Sequence, residues 1–163
     1  MVPPDEVLDR VAALARPAVD GLRWTTREQW HVTLRFLGQV DDVDAVASTL
    51  GSGSFARCDA KFGPAVDRFG RRVLHVPVAG LDDLGAAVVA RTAELGEPPD
   101  DRPFRGHVTL ARARSRRGVD LRKLAGEPVA ASWSVAEVIL VESHLHPKGA
   151  RYENVARVPT MEP

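Results

Sequence analysis

His31-Val32-Thr33-Leu34, continuing Arg35-Phe36-Leu37-Gly38, is written a second time as His107-Val108-Thr109-Leu110, continuing Ala111-Arg112. Both phrases alternate apolar with polar residues and are rich in β-branched side chains, the pattern of a half-buried strand. In a strand, residues i and i+2 share a face. His31, Thr33 and Arg35 therefore point one way, and Val32, Leu34 and Phe36 the other. In the second copy His107, Thr109 and Ala111 oppose Val108 and Leu110. Each strand can bury its aliphatic side and present a histidine and a threonine, about 7 Å apart, on the other. That polar face is where chemistry is sought. By the same alternation Arg112 faces away, unless the strand ends or bulges there.

The 163 residues suit a single domain, and a 44% hydrophobic content is enough for a packed interior. Twenty-two basic residues balance twenty-two acids, so overall charge gives no reason to expect nucleic acid or membrane. Local charge differs: Arg102 to Lys123 holds eight Lys or Arg and one acid, Asp120. Such a run is more often a solvated face than a binding site. Cys58 is the only cysteine, which excludes an intrachain disulfide and a cysteine metal cluster. No apolar leader or membrane-length run is present, and a cytoplasmic location follows as an expectation.

Along the chain, Pro3-Pro4-Asp5-Glu6 opens a helix whose apolar face is Val7, Leu8, Val11, Leu14 and Ala15, closed by Pro17. Leu22 to Trp24 is extended and leads to the first histidine strand. Asp41 to Leu50 is helical. Phe55 to Phe62 and Arg72 to Val78 are strands. The order then restarts: a helix from Leu81 to Leu95, a loop, the strand from His107, a short helix from Val119 to Leu124, and strands from Trp133 to Leu145 and Tyr152 to Val158. The histidines lie 76 positions apart, the first helices 77 (Asp5, Asp82), the second helices 78 (Asp42, Asp120) and the next strands 77 (Phe55, Ser132). A nearly constant offset over four elements suggests internal duplication. It predicts one bilobal domain over 1–163, with halves near 1–78 and 79–163 about a pseudo-two-fold axis. In the second half, strand Arg72 to Val78 precedes the helix. Its counterpart would end near Val2, so the repeat predicts that the first lobe's N-terminal strand is missing.

Two His-x-Thr phrases, one per half, resemble the signature of the 2H phosphoesterase superfamily. Gly21-Leu22-Arg23-Trp24 with Gln29-Trp30-His31 to Gly38 is similar to the first motif region of RNA 2′,3′-cyclic phosphodiesterases, the LigT-type 2′-5′ RNA ligases of bacteria and archaea. Pro103-Phe104-Arg105-Gly106-His107 to Arg112 resembles the second. Ser143 to Tyr152 and Val155-Ala156-Arg157-Val158-Pro159 resemble the family's C-terminal strands. Members typically open with an apolar strand before the first helix, and Gly106 stands where proline is often found. The resemblance implies an α+β fold in which two lobes of antiparallel sheet form a central cleft, with helices packed outside.

It also implies an activity: metal-independent hydrolysis of a 2′,3′-cyclic phosphate, at RNA termini or on small nucleotides, to a 2′-phosphate. Water must lose a proton, the departing ribose oxygen must gain one, and charge on the phosphoryl oxygens must be stabilised. Imidazole, titrating near pH 6.5, suits both proton steps. The family's roles make His31 the proton donor and His107 the proton acceptor, a division that the symmetry of the sequence alone does not assign. Thr33 and Thr109 would donate to nonbridging oxygens, and Arg35 would contact phosphate. Neither metal nor cofactor is required. Phe104 and Trp30 are candidates for stacking a base, with core packing favoured for both. His75 belongs to the sheet without a role. His144-Leu145-His146 is a strand end, with metal binding the minority option. The competing readings are 2′-5′ RNA ligation and an RNA-end binding module without turnover. A monomer with no membrane partner is expected.

Overall fold

The second histidine phrase forms a continuous strand, and the larger sheet is built round it. A computed structural model describes residues 1–99, 101–144 and 150–162. In chain order the elements are α1 (Asp5–Ala12), β1 (Leu22–Trp24), a 3-10 turn (Arg27–Gln29), α2 (Val43–Gly51), β2 (Phe55–Ala56), β3 (Asp59–Phe62), β4 (Asp67–Phe69), β5 (Val73–Ala79), α3 (Asp82–Arg91), β6 (His107–Ala113), β7 (Ala131–Ser134), β8 (Glu137–His144) and β9 (Arg151–Met161). The larger sheet runs β1-β6-β5-β3-β7, with β4 also on β5; the smaller runs β2-β9-β8. Their strand pairs are antiparallel except β2 with β9, which is parallel. The class is α+β, as expected.

The helices form where apolar spacing and terminal charge agree. α1 carries Asp5 and Glu6 in its first turn and Arg10 in its last, complementing the helix dipole. It buries Val7, Leu8 and Val11, with Leu14 just beyond it, whereas Ala15 stays exposed. Asp42 caps α2 by accepting the Ala45 N–H at 2.8 Å. α1 packs on β7 and α2 on β9. Val32, Val76, Val108, Phe62 and Leu121 are among the fully buried side chains of one core.

Several expectations need correcting. The first histidine phrase is extended but is not a regular strand. Val32 makes one isolated antiparallel bridge to Val108, and exchanges both backbone hydrogen bonds with Met1, at 2.8 and 2.9 Å. Its alternation also fails at the end: Val32 and Leu34 are buried, but Phe36 is 70% exposed. The run from Phe55 to Phe62 breaks into β2 and β3 at Arg57 and Cys58, and the run from Trp133 breaks at Val135 and Ala136. Leu145 lies outside the described residues. β4 was not foreseen. Val119 to Leu124 is no helix: the Asp120 carboxylate takes the Arg122 backbone N–H and guanidinium, and a single turn follows, with Leu124 and Ala125 both donating to the Leu121 carbonyl.

Candidate active site

The bridge between Val32 and Val108 decides what meets. In an antiparallel pair, moving one residue forward on one chain moves one back on the other. Pairing Val32 with Val108 therefore sets His31 opposite Thr109 and Thr33 opposite His107. Both valines are wholly buried, which turns the two His-Thr pairs to the opposite face. There the four side chains line a cleft of about 850 Å³ whose far wall is β8 and the start of β9.

Each histidine is held alike. Nδ1 of His31 lies 2.9 Å from the Gln29 carbonyl, and Nδ1 of His107 lies 2.8 Å from the Arg105 carbonyl. A carbonyl oxygen only accepts, so in both rings Nδ1 carries the proton and Nε2 is left for chemistry. Burial pushes both imidazoles below the ordinary value. For His31 the next cause is the ammonium at Met1, followed, beyond the opposing pull of the Gln29 carbonyl, by Arg112 and His107. For His107 the Arg105 carbonyl opposes burial, and Arg112 adds to it. The two rings also differ in surroundings. His31 meets the edge of Tyr152, a residue of β9, at 4.6 Å and 70°. His107 meets Phe69 at 4.9 Å and His75 at 5.3 Å.

Arg112 reaches the cleft through a bulge. Leu74 pairs with Ala111 but the next residue, His75, pairs with Thr109, so Leu110 is an extra residue on β6. A bulge resets alternation. Leu110 and Ala111 are consecutively buried, and Arg112 comes round with its guanidinium 3.4 Å from Thr109 Oγ1. Thr25 fastens this bulge. Its hydroxyl lies 2.8 Å from the carbonyls of both Thr109 and Leu110, its N–H donates to Leu110, and it accepts the Trp30 indole N–H at 3.0 Å. Thr25, Arg112, Tyr152 and Phe69 were missed or underweighted from sequence; the only signal was an arginine just past the second phrase.

Arg35 lines the cleft, with its guanidinium engaged by protein oxygens. Its guanidinium bonds the Val89, Leu95 and Glu97 carbonyls and the Thr92 hydroxyl, fixing the first phrase to the end of α3. Trp30 and Phe104 pack in or against the core. His144 lies 3.7 Å from Glu142 on its own strand β8 and 3.7 Å from Glu153 on β9. Its expected companion His146 lies outside the described residues. Among the described residues no group of three or more His, Cys, Asp or Glu could hold a metal, and no helix is long and apolar enough to cross a membrane.

A profile of the 2′-5′ RNA ligase superfamily matches residues 3–147. A protein of Aeropyrum pernix named RNA 2′,3′-cyclic phosphodiesterase is 30% identical over 146 residues, 80% of this chain and 82% of the relative. A Geobacillus stearothermophilus protein of the same name is 27% identical over 168 residues, 96% of this chain but 53% of the relative, so the chain spans about half that protein's length. Among solved structures, E. coli LigT complexed with 3′-AMP superposes with a TM-score of 0.75 at 23% identity, over 98% of this chain and 94% of that one. The protein TT0787 of Thermus thermophilus gives 0.73 at 26% identity over the same shares. These two are likenesses of fold. The profile covers most of the sequence, both histidine phrases included, and the chain belongs to the 2′-5′ RNA ligase superfamily.

Proposed function

We propose that this chain hydrolyses 2′,3′-cyclic phosphates, at RNA ends or on small nucleotides, to 2′-phosphates. The reading rests above all on the Val32–Val108 register, which sets two His-Thr pairs on one cleft face with Nε2 of each ring unengaged by its backbone carbonyl. The shared name of the two relatives supports it.

On this reading a neutral His107 takes a proton from water through Nε2 as the water oxygen attacks phosphorus. The bond from phosphorus to the 3′ oxygen breaks, and His31 delivers its Nε2 proton to that oxygen. His31 must enter this step protonated. The bound phosphate supplies the opposite charge that raises an imidazole's affinity for a proton, against the burial that lowers it. Thr33 and Thr109 donate hydroxyl hydrogens to the nonbridging oxygens, and Arg112 balances the added charge. Every proton is accounted for by the two imidazoles, so no step calls for a metal.

Incubating the purified chain with a 2′,3′-cyclic nucleotide in chelator tests this. Release of the 2′-phosphate, lost in His31→Ala and His107→Ala, is the expected result. Binding without product, or product from folded variants at the wild-type rate, would reject it.

A further inference from the structure

His75 was given no role by the sequence, yet it stands beside His107. Its place is set by pairing: on β5 it is opposite Thr109, and Pro77 is opposite His107. The ring is 3% exposed. One face stacks on Phe69, at 3.9 Å and 17° between planes. The His107 ring meets it at 5.3 Å and 73°, and meets Phe69 at 4.9 Å and 88°. Two stacked rings from β4 and β5 thus form a wall against which His107 rests. Among the described residues the aromatic ring that meets His31 is Tyr152, and it is exposed.

We propose that His75 is a positioning residue: stacked on Phe69, its ring holds the His107 imidazole with Nδ1 on the Arg105 carbonyl and Nε2 toward the cleft. The proposal rests on the reading of His107 as the base. Three observations carry it. The contacts are ring to ring, the geometry by which aromatic groups fix one another's orientation. Among the described residues Nδ1 of His75 is buried without a hydrogen-bond partner, so the ring is held by its aromatic contacts and not by a hydrogen bond from this nitrogen. And burial, aided by His107, pushes His75 down to about 4, which keeps it uncharged near neutrality. The charged or titratable groups acting on it are His107 on β6, Asp67 opposite it on β4, and Arg105 before β6. A rigid neutral wall matters because a base misplaced by about 1 Å costs on the order of 100-fold in rate.

The test compares His75→Phe, His75→Ala and His75→Val, each checked for folding by circular dichroism. Two readouts are used: the His107 tautomer by ¹⁵N NMR, and kcat and KM on a 2′,3′-cyclic nucleotide. His75→Phe keeps the wall, so the Nδ1–H tautomer persists and kcat stays within about threefold. In His75→Ala or His75→Val the tautomers mix and kcat falls about tenfold or more, with KM little changed. Unchanged tautomer and kcat in a folded alanine or valine variant would overturn the proposal. So would a phenylalanine variant as impaired as the alanine one. If the wild-type chain shows no turnover, the hydrolase reading fails while the tautomer measurement still decides whether His75 orients His107.

Discussion

His31 and His107, 76 positions apart, make the same contact: Nδ1 against the carbonyl two residues earlier, at 2.9 and 2.8 Å. A repeated phrase has produced a repeated tautomer. In the free protein at pH 8, ¹⁵N NMR should show both imidazoles neutral and protonated on Nδ1. Replacing either ring by alanine removes a proton carrier, and cyclic-phosphate turnover should fall by about 100- to 10,000-fold, the range for a positioned acid or base. A folded variant that keeps more than a tenth of wild-type activity would show that its histidine carries no proton in the reaction.

Arg112 makes a separable prediction, because its charge acts on the histidines as well as, on the proposed reading, on phosphate. Its charge contributes to the lowering of both His31 and His107. In Arg112→Gln both rings should titrate at higher pH, followed by NMR without substrate. With substrate, KM should rise about tenfold as one charge-assisted phosphate contact is lost. Unmoved titrations would place the guanidinium outside the field of the site.

Arg35 should behave in the opposite way. Its four acceptors all belong to the end of α3 and the loop after it. Gly96 lets that loop close: it has φ +65°, and a Cβ there would lie 2.1 Å from the Leu37 carbonyl. Arg35→Ala should cost about 2 kcal/mol in urea unfolding, since hydrogen bonds from a charged group contribute more than neutral ones. KM for the cyclic nucleotide should stay within about twofold, as no phosphate contact is removed. A large rise in KM without loss of stability would restore the phosphate role.

These contrasts show where the sequence was informative. The two histidines and two threonines could be placed because a period-two phrase stated twice constrains both strand faces. The apolar face of α1 was legible through Leu14, and β1 to the residue. What escaped depended on partners far along the chain. One extra residue, Leu110, reverses the direction of Arg112, and nothing local distinguishes a bulged strand from a straight one. Arg35 has the right parity for the cleft, but its long side chain finds carbonyls more than fifty residues away. Phe36 follows the alternation on paper and breaks it in space, because among the described residues the first phrase bridges to a strand at Val32 and not along its length. His75 looked like any polar residue in a strand until β4, unforeseen, placed Phe69 on it.

One buried histidine, His75, and two half-buried ones, His31 and His107, all held below their ordinary value, also set how stability varies with pH. Burial is the first cause for His31, His75 and His107 alike. Unfolded, each binds a proton near pH 6.5; folded, each resists until lower pH. Between those values the unfolded chain holds more protons, so stability is full above about pH 6.5 and declines as pH falls, with a slope that approaches about 1.4 kcal/mol per pH unit only where the shift is large, as for His75. For His75 the window runs from about 6.5 down to about 4. His75→Phe removes that dependence, and also the buried Nδ1 that lacks a partner among the described residues. Urea unfolding of both proteins from pH 7.5 to 4.5 should give curves that diverge as pH falls, with the phenylalanine variant the more stable at the acid end. Parallel curves would mean that His75 binds protons equally well folded and unfolded, and that the wall behind His107 can take up charge.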